Sequence, residues 1–354
     1  MRTGFTTSAC AAAAAAAAME AAETGMRNDR VTISLPSLLR QEFSISFFEK
    51  NCSGVTCGVI KDAGDDPDVT NGLEIRVYAE KNSLGQVRIF GGEGVGIVTQ
   101  PGLQVPVGQA AINPGSVRLI KSVLSSFCSE KQISEGFDIT ISVPRGAEIA
   151  KQTMNPRLGI TGGISILGTD GIVRPYSIPA FRASIACGLK FAQENHFPAA
   201  ALATGKRTAA FLDQINENGR QMYVIDVGDE LEYPLKQFRR YDIPKIVLGG
   251  MIGKFSKVAE GHFQTHVDRG GVDFAFLSGL AQKLGADEEL CGKILTAATA
   301  HQVQIWLAEK NIHLEPTLAE MAAEQVKQVI PSDRSAEVMI FSLEGTVLGI
   351  KSME

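Results

Sequence analysis

Hydrophobic and polar residues alternate along four segments in the first half of the chain, the period of two that strands with one buried face show. We predict strands at residues 31–35, 43–47, 73–79 and 139–143, and a short fifth strand at 87–90 before a glycine-rich loop. Two helical patterns interrupt the series. The first half is therefore predicted to be an α+β arrangement built on a mixed sheet.

The first predicted helix covers residues 8–23 and contains the alanine run 11–18. Alanine is the best helix former, the hydroxyl residues 6–8 can cap the first turn, and Gly25 can end the helix. The run superficially resembles a secretion signal, but alanine is weakly apolar and the helix continues into charged residues. A second helix is predicted over residues 113–127, where apolar positions recur with helical spacing.

The pattern changes after residues 145–177, a glycine-studded stretch with little periodicity. A helix is predicted at 178–194, followed by strands at 199–203, 222–226 and 245–249 with helices between them. This βαβαβ order is typical of a parallel sheet with helices on both faces. Helices are predicted within residues 271–330, and a closing hairpin from strands at 337–341 and 346–350.

Two domains are expected: an α+β domain at residues 1–177 and a Rossmann-like α/β domain at 178–354. The length of 354 residues agrees with about two domains. A net charge of −5 argues against nonspecific nucleic-acid binding, and no stretch is apolar enough to predict a membrane span. The six cysteines contain no C-x-x-C pair. We therefore expect reduced thiols, a cytoplasmic protein and no protein-bound metal.

The strand ends of the second domain are the first candidate site. Ligands of parallel sheets bind outside the carboxyl ends of the strands, where helix N-termini direct backbone N–H groups outward. An acidic residue about 20 positions after the first turn can bind ribose hydroxyls. The dinucleotide-binding fingerprint G-x-G-x-x-G has three glycines, whereas this turn has one, so the match is weak. An ordinary turn with a capping aspartate is the alternative. The candidate cofactor-binding residues are Thr204, Gly205, Asp226, Gly228, Gly249 and Gly250.

Two loops of the first domain are further candidates. The glycine loop 91–96 could let a flat ligand approach the backbone at Gly92 and Gly94, although a structural turn is the favoured explanation. Residues 61–68 hold four carboxylates. They could be solvated turns, or a polar rim in which one carboxylate orients a ligand or takes up a proton. Lys61 is a candidate for substrate binding, and Asp62 and Asp65 for catalysis.

Basic residues and histidines complete the candidate set. Four basic side chains lie in the irregular stretch, and arginine binds carboxylates through two parallel hydrogen bonds. They are Arg145, Lys151, Arg157 and Arg174, of which Arg157 and Arg174 are assigned to substrate binding. His262 and His266 are four residues apart and would share one face of a helix, but no third metal ligand is evident. We assign His262 to catalysis and His266 to substrate binding; capping and core filling are the alternatives.

Several motifs of the chain resemble those of the cobalt-precorrin-5B C(1)-methyltransferase family. They occur in the family's order and extend over nearly the whole sequence. They are RTGFTT at 2–7, KDAGDDPDVT at 61–70, GGEGVG at 91–96, PGL at 101–103, AINP at 111–114, NPRLGITGGISILGT at 155–169 and GIVRPY at 171–176. Matched runs of eight or more residues are highly specific.

The resemblance implies methylation of C-1 of cobalt-precorrin-5B by S-adenosylmethionine in the anaerobic branch of cobalamin biosynthesis. The products would be cobalt-precorrin-6A and S-adenosylhomocysteine, and cobalt would enter with the corrinoid substrate. A homodimer and transient contacts with neighbouring pathway enzymes are the expected partners. A corrin-binding module without chemistry and a nicotinamide-dependent enzyme of the same pathway are the alternatives.

Overall fold

The computed structural model describes residues 1–36, 40–266 and 270–354. The chain divides into two compact units, Met1–Ser177 and Ile178–Glu354. In the described part of the chain, no helix combines the length and the apolar character that a membrane span requires. Each unit contains its own five-stranded sheet.

The first unit contains a mixed sheet and small two-stranded sheets around it. Its strands are β1 (Gly4–Phe5), β2 (Arg30–Ser34), β3 (Arg40–Ser44), β4 (Phe47–Lys50), β5 (Gly54–Ile60), β6 (Glu74–Asn82), β7 (Arg88–Gly91), β8 (Gly94–Val95), β9 (Ile97–Val98), β10 (Gly136–Ser142), β11 (Ile160–Thr161), β12 (Gly163–Ile164) and β13 (Ile172–Val173). Its helices are α1 (Thr7–Thr24), α2 (Pro114–Lys131) and α3 (Gly146–Ala150). The main sheet has the order β4-β5-β6-β10-β7.

Helix α1 is enclosed by the rest of the first unit. Residues 9–19 are all buried, and the helix contacts β2, β5, β6 and α2. Because alanine carries only a methyl group, strands and a second helix can approach the helix axis closely without loss of side-chain entropy. Thr6 accepts a hydrogen bond from the backbone of Ala9 at 3.2 Å, and Gly25 ends the helix with a φ of 77°. The predicted helix and its two caps are confirmed.

The strand predicted at residues 43–47 is wrong, because two strands of different sheets lie there. β3 ends at Ser44 and pairs with β2, whereas β4 begins at Phe47 and pairs with β5. Phe43 and Ile45 are both buried. The alternation of buried residues therefore continues where the chain passes from one sheet to the other. The sequence pattern alone could not predict the break between β3 and β4.

The stretch 145–177 is more ordered than its sequence pattern predicts. It contains α3, and β11, β12 and β13 pair with β9, β8 and β1, respectively. Strands of two residues are too short to produce a periodic pattern, which explains the difference. The pairs attach this stretch to the glycine loop and to the first residues of the chain.

The second unit is built on a sheet with the order β15-β14-β16-β17-β18. Its strands are β14 (Ala199–Ala203), β15 (Tyr223–Asp226), β16 (Lys245–Met251), β17 (Ser335–Phe341) and β18 (Val347–Met353). Its helices are α4 (Ile178–Glu194), α5 (Lys206–Glu217), α6 (Glu232–Phe238), α7 (Ile252–Ala259), α8 (Phe274–Lys283), α9 (Glu288–Leu295), α10 (Ala300–Ala308) and α11 (Glu315–Lys327). The parallel pairs expected from the sequence pattern are present, since β14 pairs with β15 and β16. The hairpin of β17 and β18 extends the same sheet, because β17 also pairs with β16 in parallel.

We expect Ala14→Leu to lower the free energy of unfolding by about 1–3 kcal/mol, because the larger side chain has no space around a fully buried methyl group. Ala22→Leu, at a partly exposed position of the same helix, should change it much less. Urea unfolding of both variants measures the difference. Equal effects at the two positions would contradict the enclosure of α1.

Candidate functional site

The carboxyl ends of β14, β15 and β16 meet at one edge of the sheet in the second unit. Parallel pairing places Ala203 opposite both Asp226 and Gly249. Thr204 donates its backbone N–H to Gly249 at 3.1 Å, and Val227 donates to Ala203 at 2.9 Å. Of the six predicted residues, Thr204, Gly205 and Gly228 lie in turns and Asp226 ends β15. The predicted turn at Gly249 and Gly250 is wrong, because β16 continues to Met251 and both glycines pair with β17. The two glycines are explained by close packing of this strand against its neighbours. The role of the six residues in cofactor binding stays a prediction.

Two of these glycines, Gly205 and Gly250, are required for different reasons. Gly205, before α5, has a φ of 148° and a ψ of 167°, a region open essentially only to glycine. A methyl group on Gly205 would meet no atom within 4 Å, so space is open beside the N-terminus of α5. A methyl group on Gly250 would lie 2.4 Å from the hydroxyl of Thr204. Gly205 thus sets the backbone conformation, whereas Gly250 permits close packing.

Asp226 ends β15 and shapes the turn that follows it. Its carboxylate accepts a hydrogen bond from the backbone of Gly228 at 3.1 Å, and Gly228 has a φ of 53°. This bond is the capping role that the sequence left open as an alternative. Asp226 is only half-buried, so its carboxylate is also accessible from solvent.

Lys254, in the first turn of α7, was missed by sequence reasoning. Its ammonium donates to the backbone carbonyls of Thr204 and Gly228, the second at 3.3 Å, and lies 3.0 Å from Oδ1 of Asp229. Asp229 also accepts a hydrogen bond from the Thr265 hydroxyl at 2.9 Å. Burial alone would raise the pKa of Asp229, but these bonds from Lys254 and Thr265 lower it. A lone lysine in a helix belongs to no motif, so only the fold could identify it.

His262 and His266 do not share a helix face, because α7 ends at Ala259 and the chain beyond it is irregular. Between them, Gln264 forms an isolated bridge with Glu230. The helical metal pair considered from the spacing is therefore wrong. In residues 1–36, 40–266 and 270–354 there is no group of three or more His, Cys, Asp or Glu side chains that could hold a metal ion.

His262 lines a cavity of about 550 Å³ in the second unit. Three carboxylates, those of Glu232, Glu260 and Asp273, line the same cavity. Burial, followed by the charge of Asp273, raises the pKa of Glu260. The arrangement brings a histidine near acidic groups, while catalysis by His262 and substrate binding by His266 stay predictions.

In the first unit, residues 160–173 join most of the sequence motifs. β12 pairs with β8 in the glycine loop, and Ile166 exchanges backbone hydrogen bonds with Ala111 and Asn113. Thr7 and Leu167 are joined by two hydrogen bonds of 2.8 and 3.1 Å, at the start of α1. The motifs at 2–7, 91–96 and 111–114 are thus held by one segment. We call residues 160–173 the central segment.

The acidic loop 61–68 binds the first residues of the chain. Asp62 forms a two-pronged ion pair with Arg2, in which Nη2 donates to Oδ1 at 2.8 Å. Asp65 accepts the backbone N–H of Arg2 at 2.6 Å. The hydrogen bonds from Arg2 and then Gly64 lower the pKa of Asp62 to about 2. Asp62 is therefore ionised and paired at neutral pH, which makes it a weak proton acceptor.

Lys61 lies inside the first unit rather than on its surface. Its side chain is 2% exposed, and its ammonium donates to Asp68 at 2.7 Å. Asp68 also accepts hydrogen bonds from the backbone and hydroxyl of Thr70. Asp62 and Asp68 each bind backbone N–H groups two residues ahead, as expected for the turn alternative. Contact of Lys61 with a substrate stays a prediction that this arrangement does not favour.

The glycines of loop 91–96 are explained by close packing. A methyl group on Gly94 would lie 1.9 Å from the carbonyl oxygen of Val143, and one on Gly92 would lie 2.6 Å from the hydroxyl of Ser142. Neither glycine is needed to admit a ligand. The structural-turn alternative therefore accounts for both, and their contact with substrate stays a prediction.

The four basic residues of the irregular stretch all lie at the surface. Arg157 and Arg174 are exposed, and Arg174 forms an ion pair of 2.5 Å with Asp170. Arg145 pairs with Glu148 at 3.1 Å. The exposed guanidinium groups can still exchange these weak surface partners for carboxylates of a ligand.

Comparison with known proteins identifies similar chains over the full length. The family model described as CbiD matches residues 1–175, and the model described as CbiD, C-terminal domain, matches residues 264–352. A cobalt-precorrin-5B C(1)-methyltransferase of Geobacillus kaustophilus is 40% identical over 99% of this chain and 94% of its own length. One of Pseudomonas putida is 35% identical over 100% and 97%, respectively. A solved structure, the cobalamin biosynthesis protein (cbiD) of Archaeoglobus fulgidus, is 25% identical, with a TM-score of 0.41, over 75% of this chain and 82% of that one.

We expect Arg2→Met to raise the pKa of Asp62 from about 2 toward the ordinary aspartate value of about 3.9, because the guanidinium that stabilises the carboxylate is lost. Carboxyl ¹³C NMR between pH 6 and 3 measures the change. Asp62 of the unaltered chain should stay ionised over most of this range, and Asp62 of the variant should titrate within it.

Arg27→Met is the matched control, since Arg27 pairs with Asp29 instead of Asp62. It should leave the Asp62 titration unchanged. An Asp62 that remains ionised down to pH 3 in Arg2→Met would show that Arg2 is not the cause of the low pKa.

Proposed function

The chain belongs to the CbiD family of cobalt-precorrin-5B C(1)-methyltransferases, and we propose that its second unit binds the methyl donor S-adenosylmethionine and its first unit binds the corrinoid. The reaction is methylation of C-1 of cobalt-precorrin-5B. Similarity at 35–40% identity over nearly the entire chain is the observation that carries this conclusion. The Rossmann-like character of the second unit is part of the proposal.

The donor is proposed to lie across the ends of β14, β15 and β16. Gly205 leaves open space beside the N-terminus of α5, where backbone N–H groups attract the donor's carboxylate or its hydroxyl oxygens. Asp226, on the neighbouring strand, offers a carboxylate to the two ribose hydroxyls. Near the end of β16, Gly249 accepts the backbone N–H of Thr204, and Gly250 lets the Thr204 hydroxyl pack closely. The open space beside Gly205 and the half-buried carboxylate of Asp226 together suit an adenosyl ligand.

The donor supplies a methyl group already activated by the sulfonium charge, and the electron-rich macrocycle supplies a carbon nucleophile. The protein's main task is therefore to hold the two in line. Proximity and orientation can contribute on the order of 7–11 kcal/mol to such a step. Cobalt belongs to the substrate in this proposal.

The corrinoid carries many carboxylates, which arginine forks bind well. Arg157 and Arg174 are exposed in the first unit and are the proposed contacts. Lys61, Gly92 and Gly94 are less suited to this role, because the lysine is buried and both glycines serve close packing. Asp62 is assigned to anchoring Arg2 instead of proton uptake.

The decisive assay uses isotopically labelled S-adenosylmethionine and cobalt-precorrin-5B, with the product identified by mass. Transfer of the label to the macrocycle is expected. Calorimetry separates the alternatives, because a nicotinamide-dependent enzyme would bind NAD and a corrin-binding module would bind neither NAD nor S-adenosylhomocysteine. Binding of NAD in place of S-adenosylhomocysteine would refute the donor site.

We expect Asp226→Ala to weaken S-adenosylhomocysteine binding by about 1–3 kcal/mol, because polar ribose groups lose their partner. Calorimetry gives the dissociation constants. Asp242→Ala is the matched control: Asp242 is an exposed aspartate that precedes β16, at the opposite edge of the same sheet. Unchanged affinity in Asp226→Ala would remove Asp226 from the donor site.

We expect Arg157→Ala and Arg174→Ala to raise the KM for the corrinoid about tenfold each, because each removes a charge-assisted hydrogen bond. The KM for S-adenosylmethionine should stay within about twofold. Arg27→Ala, an exposed arginine elsewhere in the first unit, is the control. A larger change in the donor's KM than in the corrinoid's would reverse the proposed division between the units.

A further inference from the structure

Lys254 connects the turns that follow β14 and β15 with the helix that follows β16. This helix, α7, begins at Ile252, directly after the last residue of β16. The ammonium of Lys254 reaches the carbonyl of Thr204 after β14 and the carbonyl of Gly228 after β15. Its side chain therefore spans the end of β14, the central strand of the three.

The ammonium of Lys254 is saturated by its partners. A lysine ammonium has three N–H donors and no acceptor. Here three acceptors surround it: two backbone carbonyls and Oδ1 of Asp229, the last at 3.0 Å. The side chain is about one-third exposed, with 31% of its surface accessible. A single charge thus neutralises Asp229 and joins the turns after β14 and β15, just beyond the backbone hydrogen bond from Val227 to Ala203.

We infer that Lys254 is a positioning residue for the methyl donor, and this inference rests on the proposed donor site. The distance between the Thr204 turn and the Gly228 turn decides whether α5 and Asp226 can hold one adenosyl group together. In this role Lys254 fixes that distance without contacting the ligand. Its substitution should therefore weaken binding of any ligand that contains the adenosyl group.

A direct contact with the donor's carboxylate is the competing role, and two ligands distinguish it. S-adenosylhomocysteine has the amino-acid carboxylate, whereas 5′-methylthioadenosine has the same adenosyl group without it. A positioning residue affects both ligands alike. A carboxylate-binding residue affects only S-adenosylhomocysteine.

The experiment is calorimetry of the full chain and of Lys254→Met with both ligands. Methionine has a similar length and no donor, so all three bonds are lost. We expect the dissociation constants of both ligands to rise at least tenfold, with binding stoichiometry unchanged. Unfolded protein would lower the stoichiometry and leave the dissociation constant of the remainder unchanged. The KM for S-adenosylmethionine should rise with little change in kcat.

If Lys254→Met does not fold, the same calorimetry is done with Lys254→Arg. Arginine retains the charge, but its planar fork cannot place three donors at the single point that the ammonium occupies. We expect a dissociation constant between those of the unaltered chain and Lys254→Met, and at least threefold above the former. Lys236→Met, an exposed lysine of α6 paired with Glu232, should leave binding unchanged.

Unchanged affinity in both Lys254 variants would overturn the positioning role. Loss restricted to S-adenosylhomocysteine would overturn it too, in favour of direct carboxylate binding. If the unaltered chain bound neither ligand, the proposed donor site itself would fail, and the role of Lys254 would fail with it. The first two results leave the donor site intact, so the two proposals can be refuted separately.

Discussion

Parallel pairing of β14 with both β15 and β16 is the constraint on which the proposed donor site depends. In a parallel sheet all strands end in the same direction, so residues far apart in sequence meet at one edge. Ala203 lies opposite Asp226 on one side and Gly249 on the other. A shift of one residue in the β14–β15 register would move the side chain of Asp226 to the other face of the sheet. The pairing aligns the turns after β14 and β15 with the end of β16, and Lys254 reinforces the same alignment from α7.

The first unit depends on a different constraint, the close approach of strands and helices to an alanine helix. Residues 9–19 of α1 are buried, so the rest of the first unit surrounds the helix and fixes the position of its first turn. Thr7 binds Leu167 of the central segment there, and the loop 61–68 binds Arg2 just before the helix begins. Glycines such as Gly94 allow the neighbouring loop to pack at backbone distance. Part of the motifs that identify the family thus serves this packing, whereas other motif residues, such as Arg157 and Arg174, remain exposed.

The sequence predicted features whose cause is local. The caps of α1 at Thr6 and Gly25 and the ends of β14 and β15, before Thr204 and at Asp226, follow from short patterns, and the structure places them as expected. The end of β16 differs, because the strand continues through Gly249 to Met251. Features caused by distant contacts could not be predicted. Buried residues alternate through the change of sheet between Ser44 and Phe47, and the two-residue strands of the central segment have no period. The burial of Lys61 against Asp68 and the contacts of Lys254 exist only in the folded chain.

The paired carboxylates of the two units suit a reaction in which the protein mainly aligns the two reactants. Asp62 and Asp229 both have lowered pKa values, because Arg2 donates to the first and Lys254 to the second. Carboxylates held in this way stay ionised near neutral pH and do not exchange protons readily. Their energetic role is to fix a backbone segment, the start of the chain in one case and a strand-end turn in the other. Methyl transfer from a sulfonium needs no prior activation of the donor by the protein, so the proposed site of fixed turns can act by orientation, without the titrating base that a hydrolytic reaction requires.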